Sequence, residues 1–294
     1  MAKKKSGSIA VPFLVTVFIS LIVVGGTALW FYNYFGFGNS DKPPLPTPRT
    51  GQTVSAEDNH TILFILEEPE QRCPSTFILM RSIPIKKELL FIGLPTNMIS
   101  LIDGQQQGLK ECYDRGGSTS AVDFVQKAFD ITVDRYMKFD SASFQKLCDI
   151  FGGVSYEVNI DMAGIDPDGG PQYMNAKQID KFVTYSMFRD GERERALQAA
   201  AILAAMINQA DGKRIADNFD NSFTSIINMT SDTTVTSVDY KNHKTAIKTM
   251  FEGGSSIAAS LTLDGTDADS DFLPSDKFIS DITRHYFTNE KESK

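Results

Sequence analysis

Cysteine and histidine, which build many metal and redox centres, are scarce in this chain of 294 residues. It has three of each, and His60, His243 and His285 lie far apart. Their spacing is not that of a zinc site. The sequence also has no phosphate-binding glycine loop, no G-x-S-x-G elbow and no H-E-x-x-H helix. It therefore offers no motif of these common enzyme classes, and we expect the three histidines at the surface.

Basic residues are also in deficit, with 29 lysines and arginines against 37 acidic residues. Lys3, Lys4 and Lys5 precede the first apolar stretch. Without them 26 basic residues remain, which leaves a charge near −11. General nucleic-acid binding needs a basic surface, so we expect no nucleic-acid partner. An anionic ligand would require a local cluster of basic side chains.

Charged residues are missing altogether from Ile9 to Phe35. A helix of this length can cross a hydrocarbon core of ~30 Å, and it exceeds the roughly 7–15-residue apolar region of a cleavable signal peptide. Trp30, Tyr32 and Tyr34 would form an aromatic belt at the outer interface. The sequence predicts a single-pass anchor in the cell membrane, with the N-terminus cytoplasmic and the following domain extracellular. A cleaved signal peptide is the alternative.

Prolines 43, 44, 46 and 48 make a stiff, extended spacer of Asn39–Gln52. The predicted organisation is therefore a cytoplasmic tail (1–8), a transmembrane helix (9–35), a proline-rich linker (36–57) and an extracytoplasmic domain (58–294).

Short apolar runs bounded by turn residues predict strands that are buried on both faces. The hairpin of Phe77–Met80 and Leu89–Ile92 is the clearest case, and such a hairpin lies in the middle of a sheet that helices cover. Its second strand stops at Pro95, which leaves Thr96 and Asn97 at the sheet end, where ligand sites gather. The predicted fold class is α/β: a three-layer α-β-α domain with a central mixed sheet, preceded by the transmembrane helix.

Alternation of apolar residues and turn signals predicts the remaining elements. The predicted strands are Thr61–Leu66, Thr132–Phe139, Val154–Ile160, Thr233–Val238 and Ile257–Leu263. One predicted helix begins after the N-cap Ser120, and the others span Ser141–Phe151, Glu194–Ala210 and Ser275–Phe287. The segment Asp161–Asn175 is predicted to be a loop.

Three cysteines outside the membrane allow one disulfide and one leftover thiol. Cys148 shares an apolar helix face with Phe144 and Phe151, which predicts a buried thiol. Cys73 and Cys112 lie in polar, loop-like settings and are the predicted pair.

A charged segment, Phe188–Arg195, opens the alanine-rich helix. Arg189, Arg193 and Arg195 there, with Lys110 as a second basic position, predict a phosphate site if they converge with free backbone N–H groups. The alternative is a solvated run that pairs with itself, because Glu192 and Glu194 alternate with the arginines.

The order of these segments resembles the LytR-CpsA-Psr (LCP) family of Gram-positive envelopes. The motifs that carry the resemblance are Asp134–Asp140 followed by Phe144–Leu147 and Gly152-Gly153-Val154, Tyr113 with Gly116-Gly117, and Tyr185–Asp190. The resemblance implies a central sheet between helices that holds a polyprenyl-pyrophosphate lipid. It also implies transfer of a cell-wall glycopolymer, such as teichoic acid or capsule, from that lipid to peptidoglycan, aided by magnesium and an arginine cluster.

The departures from the family pattern fall on its catalytic positions. Ser75 and Asn97 stand where the resemblance implies magnesium-binding aspartates, and Thr96 and Met187 stand where it implies arginines. The family's later Arg-x-x-Arg-Gln-Gln survives only in part, with Gln198 three residues after Arg195. Glu67 and Glu68 end a neighbouring strand and could compensate, although they are also ordinary strand-end acids.

From this we expect an LCP-like protein of cell-envelope assembly that binds lipid-linked glycan through Arg189, Arg193, Arg195 and Lys110, with reduced or no catalysis and no metal. One alternative is a working phosphotransferase that uses Mg²⁺ and peptidoglycan. The other is a structural domain without a ligand, which the lack of an apolar cavity between sheet and helices would support.

Overall fold

The computed structural model describes residues 54–68, 74–162, 164–230, 232–252 and 256–287. Its strands are β1 (His60–Glu67), β2 (Pro74–Ile83), β3 (Glu88–Leu94), β4 (Ile99–Ile102), β5 (Gln105–Gly108), β6 (Arg135–Phe139), β7 (Val154–Glu157), β8 (Pro171–Met174), β9 (Asp232–Thr233), β10 (Ala258–Leu261), β11 (Gly265–Ala268) and β12 (Asp271–Pro274). Six of them form a mixed sheet in the order β10-β3-β2-β1-β6-β9. The other six form three two-stranded hairpins, β4-β5, β7-β8 and β11-β12.

Helices cover both faces of this sheet. They are α1 (Leu109–Phe129), α2 (Ser141–Phe151), α3 (Ala176–Val183), α4 (Gly191–Gln209), α5 (Gly212–Asp217), α6 (Phe219–Met229), α7 (Ser237–Glu252) and α8 (Asp276–Ile282). Helices α1 and α8 contribute to the apolar core on one face, and α2 to α7 contribute to the core on the other. The predicted three-layer architecture is confirmed.

The central hairpin explains why both faces are covered. Phe77 and Leu79 of β2 point into the α1 core, whereas Ile78 points into the opposite core. All three are at most 1% exposed. Because side chains of a strand alternate between faces, a continuous apolar run can be buried only in a strand that is covered on both sides. The prediction of a hairpin in the middle of the sheet is therefore confirmed.

Helix α4 lies unusually close to β3. A Cβ atom added at Gly93 would lie 1.8 Å from the carbonyl oxygen of Ala196. Only glycine leaves room for this approach, which fixes the first turns of α4 against the end of β3.

Several predicted elements differ from the structure. Val154–Ile160 forms only β7, which pairs with β8 outside the central sheet, so Asp161–Asn175 is not all loop. Of Thr233–Val238, only Thr233 belongs to a strand. The rest of the segment leads into helix α7 because a reciprocal cap stabilises the start of that helix. The Thr236 hydroxyl accepts the backbone N–H of Asp239, and the Asp239 carboxylate accepts the backbone N–H of Thr236.

Helix α1 begins at Leu109, eleven residues before the predicted N-cap Ser120. The helix breaks at Gly116 and Gly117, and Gly117 has a φ of 67°. Cys112 is therefore on a helix and 3% exposed, not in a polar loop. Cys73 lies outside the described residues, so its pairing with Cys112 stays a prediction, and Cys112 and Cys148 are not bonded to each other. Cys148 is buried, as predicted, and burial raises the pKa of its thiol far above the usual range.

The predicted span Ile9–Phe35 also lies outside the described residues and stays a prediction. In the part of the chain that the structure describes, no helix has the length and hydropathy needed to cross a membrane.

Candidate functional site

The carboxyl ends of β1, β3 and β6 lie at one edge of the sheet, because β1 and β6 are parallel and β2 runs antiparallel to both β1 and β3. We call this the carboxyl edge. Thr96 and Asn97 follow β3 there, and Ser75 and Thr76 begin β2 at the same edge. The sequence prediction that Thr96 and Asn97 stand at a sheet end is confirmed.

Three side chains meet where β3 ends and α4 begins. The Thr96 hydroxyl and the Arg195 guanidinium both donate to the same oxygen, Oε2 of Glu192. The Thr96 and Arg195 residues are 8% and 7% exposed. This triad places one predicted phosphate-binding arginine at the carboxyl edge. It also shows that Arg195 pairs with Glu192, as the self-pairing alternative expects.

Asn97 and Arg193 both contact the β11-β12 hairpin. The Asn97 amide donates to the Ser270 carbonyl at 2.6 Å, and Arg193 lies 3.4 Å from Asp267. The Arg193 guanidinium also lies 5.3 Å from the ring centroid of Phe272. These contacts hold the hairpin against the carboxyl edge and engage Arg193 with an acid and a ring.

The remaining predicted site residues do not converge on the triad. Arg189 is exposed, and the Met187 side chain next to it is also exposed. Gln198 accepts from the Tyr156 hydroxyl at 2.9 Å. Lys110 is exposed and pairs with Asp114 at 2.6 Å, although its backbone N–H donates to the Thr96 carbonyl.

A second polar cluster at the same edge was missed at the sequence level. Lys138 near the end of β6 lies 3.1 Å from Glu67 at the end of β1. Burial alone would lower the pKa of Lys138, but the hydrogen bond to Glu67 and the nearby Tyr113 raise it. Burial raises the pKa of Tyr113. Three strand spacings separate the ends of β3 and β6, so Lys138 and the triad are about 14 Å apart across the sheet.

Asp232 of β9 extends this second cluster. Its carboxylate accepts from the Ser118 hydroxyl at 2.6 Å and from the Tyr136 hydroxyl at 2.9 Å. Ser118 directly follows the glycine break in α1. The break thus turns Ser118, at the start of the second half of α1, toward the end of the sheet. The sequence indicates this break through the Tyr113-x-x-Gly116-Gly117 motif.

Magnesium, which the family resemblance implies, does not fit the residues at this edge. Ser75 is 3% exposed and its hydroxyl donates to the Leu66 carbonyl, while Asn97 bonds the hairpin. Neither side chain brings the charged oxygen that a hard dication prefers. Among the described residues, no group of three or more His, Cys, Asp or Glu side chains could hold a metal ion.

An apolar cavity of about 230 Å³ lies between the sheet and the layer of helices α2 to α7, which we call the α4 layer. Its walls include Ile62, Phe64 and Met137 of the sheet and Leu203, Met206, Ile226 and Ile247 of the helices. Phe139, which directly follows Lys138, marks its extent toward the carboxyl edge. None of the predicted phosphate-binding residues lines it.

The opposite end of the cavity is polar, and here the prediction of surface histidines is wrong. His60 and His243 also line the cavity, with ring centroids 4.6 Å apart and side chains 18% and 14% exposed. Their Nδ1 atoms lie 3.8 Å from Asp134 and 3.3 Å from Asp58, respectively. Burial lowers the pKa of His60, and the carboxylate of Asp134 offsets this only in part. His285 is exposed, as predicted.

Fold and site together define a three-layer α/β domain with an apolar cavity on one face of the sheet and a polar carboxyl edge. The chain belongs to the LytR_cpsA_psr family, whose model matches residues 66–285. A polyisoprenyl-teichoic acid–peptidoglycan teichoic acid transferase, TagU of Halalkalibacterium halodurans, is 26% identical over 110 residues. That match covers 35% of this chain and 36% of TagU, so it spans about a third of the curated relative.

Two solved structures share the fold. TagV of B. subtilis is 18% identical, with a TM-score of 0.60, and the alignment covers 77% of this chain and 94% of TagV. TagT bound to LI-WTA is 14% identical, with a TM-score of 0.62, and the alignment covers 84% of this chain and 96% of TagT. At these identities the likeness supports the fold alone.

Proposed function

We propose that this protein is anchored in the cell membrane and binds a polyprenyl-diphosphate-linked glycan outside the cell, with reduced or no catalysis. Its place would be in the assembly of cell-wall glycopolymers, with peptidoglycan as a second partner. The observation that carries the proposal is the apolar cavity between the sheet and the α4 layer. A structural domain without a ligand has no need of such a cavity, because close packing would stabilise it more.

The cavity has the chemistry of a hydrocarbon site. Apart from its polar end at His60 and His243, its walls are almost entirely aliphatic and aromatic side chains. The names of the relatives point the same way: TagU acts on a polyisoprenyl-linked teichoic acid, and TagT was solved with LI-WTA.

The carboxyl edge supplies the donors that a diphosphate requires. Arg195 and Thr96 lie at the N-terminal end of α4, where the helix dipole favours an anion. Lys138 does not serve the same diphosphate, because it lies about 14 Å away across the sheet. Its side chain also faces Tyr113 on the α1 side, whereas that of Phe139 lines the cavity on the opposite face. Arg195, rather than the exposed Arg189, is therefore the expected phosphate contact.

Reduced catalysis is proposed because the charged groups that would activate phosphoryl transfer are missing. Transfer of a phosphoryl group depends on positive charge placed against the developing oxyanions. Ser75 and Asn97 offer no carboxylate for a metal, and Thr96 offers a hydroxyl instead of a cation.

The proposal is tested by lipid mass spectrometry on the full chain purified from its own membrane, followed by binding of a polyprenyl-diphosphate analogue. Met206→Trp fills the cavity and should weaken analogue binding by about tenfold or more, because the hydrocarbon loses its space. Met229→Trp is the matched control, since Met229 is 40% exposed and does not line the cavity. Equal binding by both variants would remove the cavity from the proposal.

A transfer assay with lipid-linked glycopolymer and peptidoglycan separates binding from catalysis. We expect tight binding and little or no transfer. Transfer at the rate of an active relative that depends on added Mg²⁺ would establish the phosphotransferase alternative. The absence of both lipid and analogue binding would establish a structural domain.

A further inference from the structure

We propose that Glu192 is a built-in competitor for the anion site at the carboxyl edge. Its carboxylate accepts the hydrogen bonds of Thr96 and Arg195 until a phosphate ligand displaces it. The inference rests on the proposed binding of a diphosphate at this edge and goes beyond it, because it says which residue sets the affinity of the site.

The two donors are held in place by the backbone. Thr96 follows β3, and its carbonyl accepts the backbone N–H of Lys110, which ties it to the start of α1. Arg195 lies on α4 next to Ala196, whose carbonyl fits against β3 only because residue 93 is glycine. The backbone of neither donor can move far without displacing a helix.

Glu192 is the member of the triad that can leave. Its side chain is 32% exposed, whereas that of Arg195 is 9% exposed. A half-exposed carboxylate regains water when it turns outward, while a buried guanidinium would lose its partners without that compensation. A ligand oxygen would then take the two hydrogen bonds that Glu192 gives up.

Carboxylate and phosphate compete here for the same electrostatic features. Glu192 lies in the first turn of α4, where the helix N-terminus favours a negative charge. Glu194 lies in the same turn, but its Oε2 accepts from the Asp190 backbone N–H at 2.9 Å and not from the triad. The chain thus offers two acids with equal charge and similar helix position, of which one blocks the donors.

The experiment measures binding of inorganic pyrophosphate and of a polyprenyl-diphosphate analogue to the purified full chain by titration calorimetry. Glu192→Gln should tighten binding of both ligands by about tenfold, because a neutral amide competes less well for charge-assisted hydrogen bonds. Glu194→Gln, which removes the same charge from the same turn, should change the affinity by less than about threefold. Circular dichroism of each variant confirms that α4 is intact, and Glu192→Ala replaces the glutamine variant if that one does not fold.

The double variant Glu192→Gln/Arg195→Met decides whether the gain passes through Arg195. We expect the double variant to bind pyrophosphate no more tightly than Arg195→Met alone, so that Glu192→Gln brings no gain in affinity once Arg195 is absent. A gain that persists without Arg195, or one that Glu194→Gln reproduces, would overturn the inference in favour of a general charge effect. Equal binding by the parent and Glu192→Gln would overturn it as well, with the proposed function intact. Failure of both proteins to bind either ligand would overturn the inference and the proposed function together.

Discussion

Gly93→Ala tests whether the close contact between β3 and α4 holds the triad in place. The new Cβ would lie 1.8 Å from the Ala196 oxygen and 2.3 Å from its carbonyl carbon. Both are backbone atoms, so α4 must shift by roughly 2 Å to restore ordinary van der Waals contact. Overpacking of a core costs about 1–3 kcal/mol, and a rigid helix against a central strand belongs at the upper end. The better strand preference of alanine returns about 0.5–1 kcal/mol.

The net expectation for Gly93→Ala is a loss of about 2 kcal/mol in the free energy of unfolding, or a fall of about 4–8 °C in Tm for a domain of this size. Urea unfolding and calorimetry measure it. Gly108→Ala is the control, because its Cβ meets only the flexible side chain of Glu111, at 3.3 Å, and loss of a glycine N-cap costs less than about 1 kcal/mol. Equal stability of the two variants would refute the argument. Pyrophosphate affinity should also fall in Gly93→Ala, since the shift carries Arg195 away from Thr96.

Three further outcomes are expected. Burial lowers the pKa of His60 in the folded state, so below about pH 6.5 the unfolded chain binds more protons than the folded one. The free energy of unfolding should therefore decline from pH 7 to pH 5.5, and His60→Gln should reduce this decline. Asp140→Ala should cost about 1 kcal/mol in urea unfolding, since its carboxylate caps α2 by accepting the Ser143 backbone N–H at 2.8 Å, and Asp140→Asn should keep most of that stability. Peptide mapping without reductant should find Cys73 linked to Cys112, and recovery of both as alkylated thiols would contradict the pairing.

The elements that the sequence predicted well are those whose signals are local. Helix α2 spans Ser141–Phe151, as predicted, because Asp140 caps its start and Gly152 ends it in the left-handed region, with a φ of 99°. The buried hairpin was equally visible, since a continuous apolar run needs cover on both faces. The predicted strand at Thr233–Val238 failed because the preference of threonine and valine for strands is weak, and the reciprocal cap between Thr236 and Asp239 begins α7 instead.

The site was predictable only in part, because its contacts join distant parts of the chain. The family resemblance pointed to Thr96, Asn97 and Arg195, and the structure places all three at the carboxyl edge or beside it. Nothing in the sequence indicates that Glu192, ninety-six residues after Thr96, accepts its hydroxyl. His60 and His243 meet for the same reason, since the packing of α7 against the start of β1 has no local signature.

Helix α6 covers the cavity through Phe219, Phe223 and Ile226, yet none of its residues is fully buried. It is tied to α7 by the stacking of Phe223 on Tyr240, with ring centroids 4.2 Å apart, and by the ion pair of Asp220 with Lys244. A helix with so little buried surface should unfold locally at a low free-energy cost compared with the rest of the domain. Its backbone amides should thus exchange with solvent sooner than those of α4. Under the proposed lipid binding, a hydrocarbon chain would enter sideways under α6 while the sheet stays folded. The rate of loading would then follow the opening of this one helix and not the stability of the whole domain.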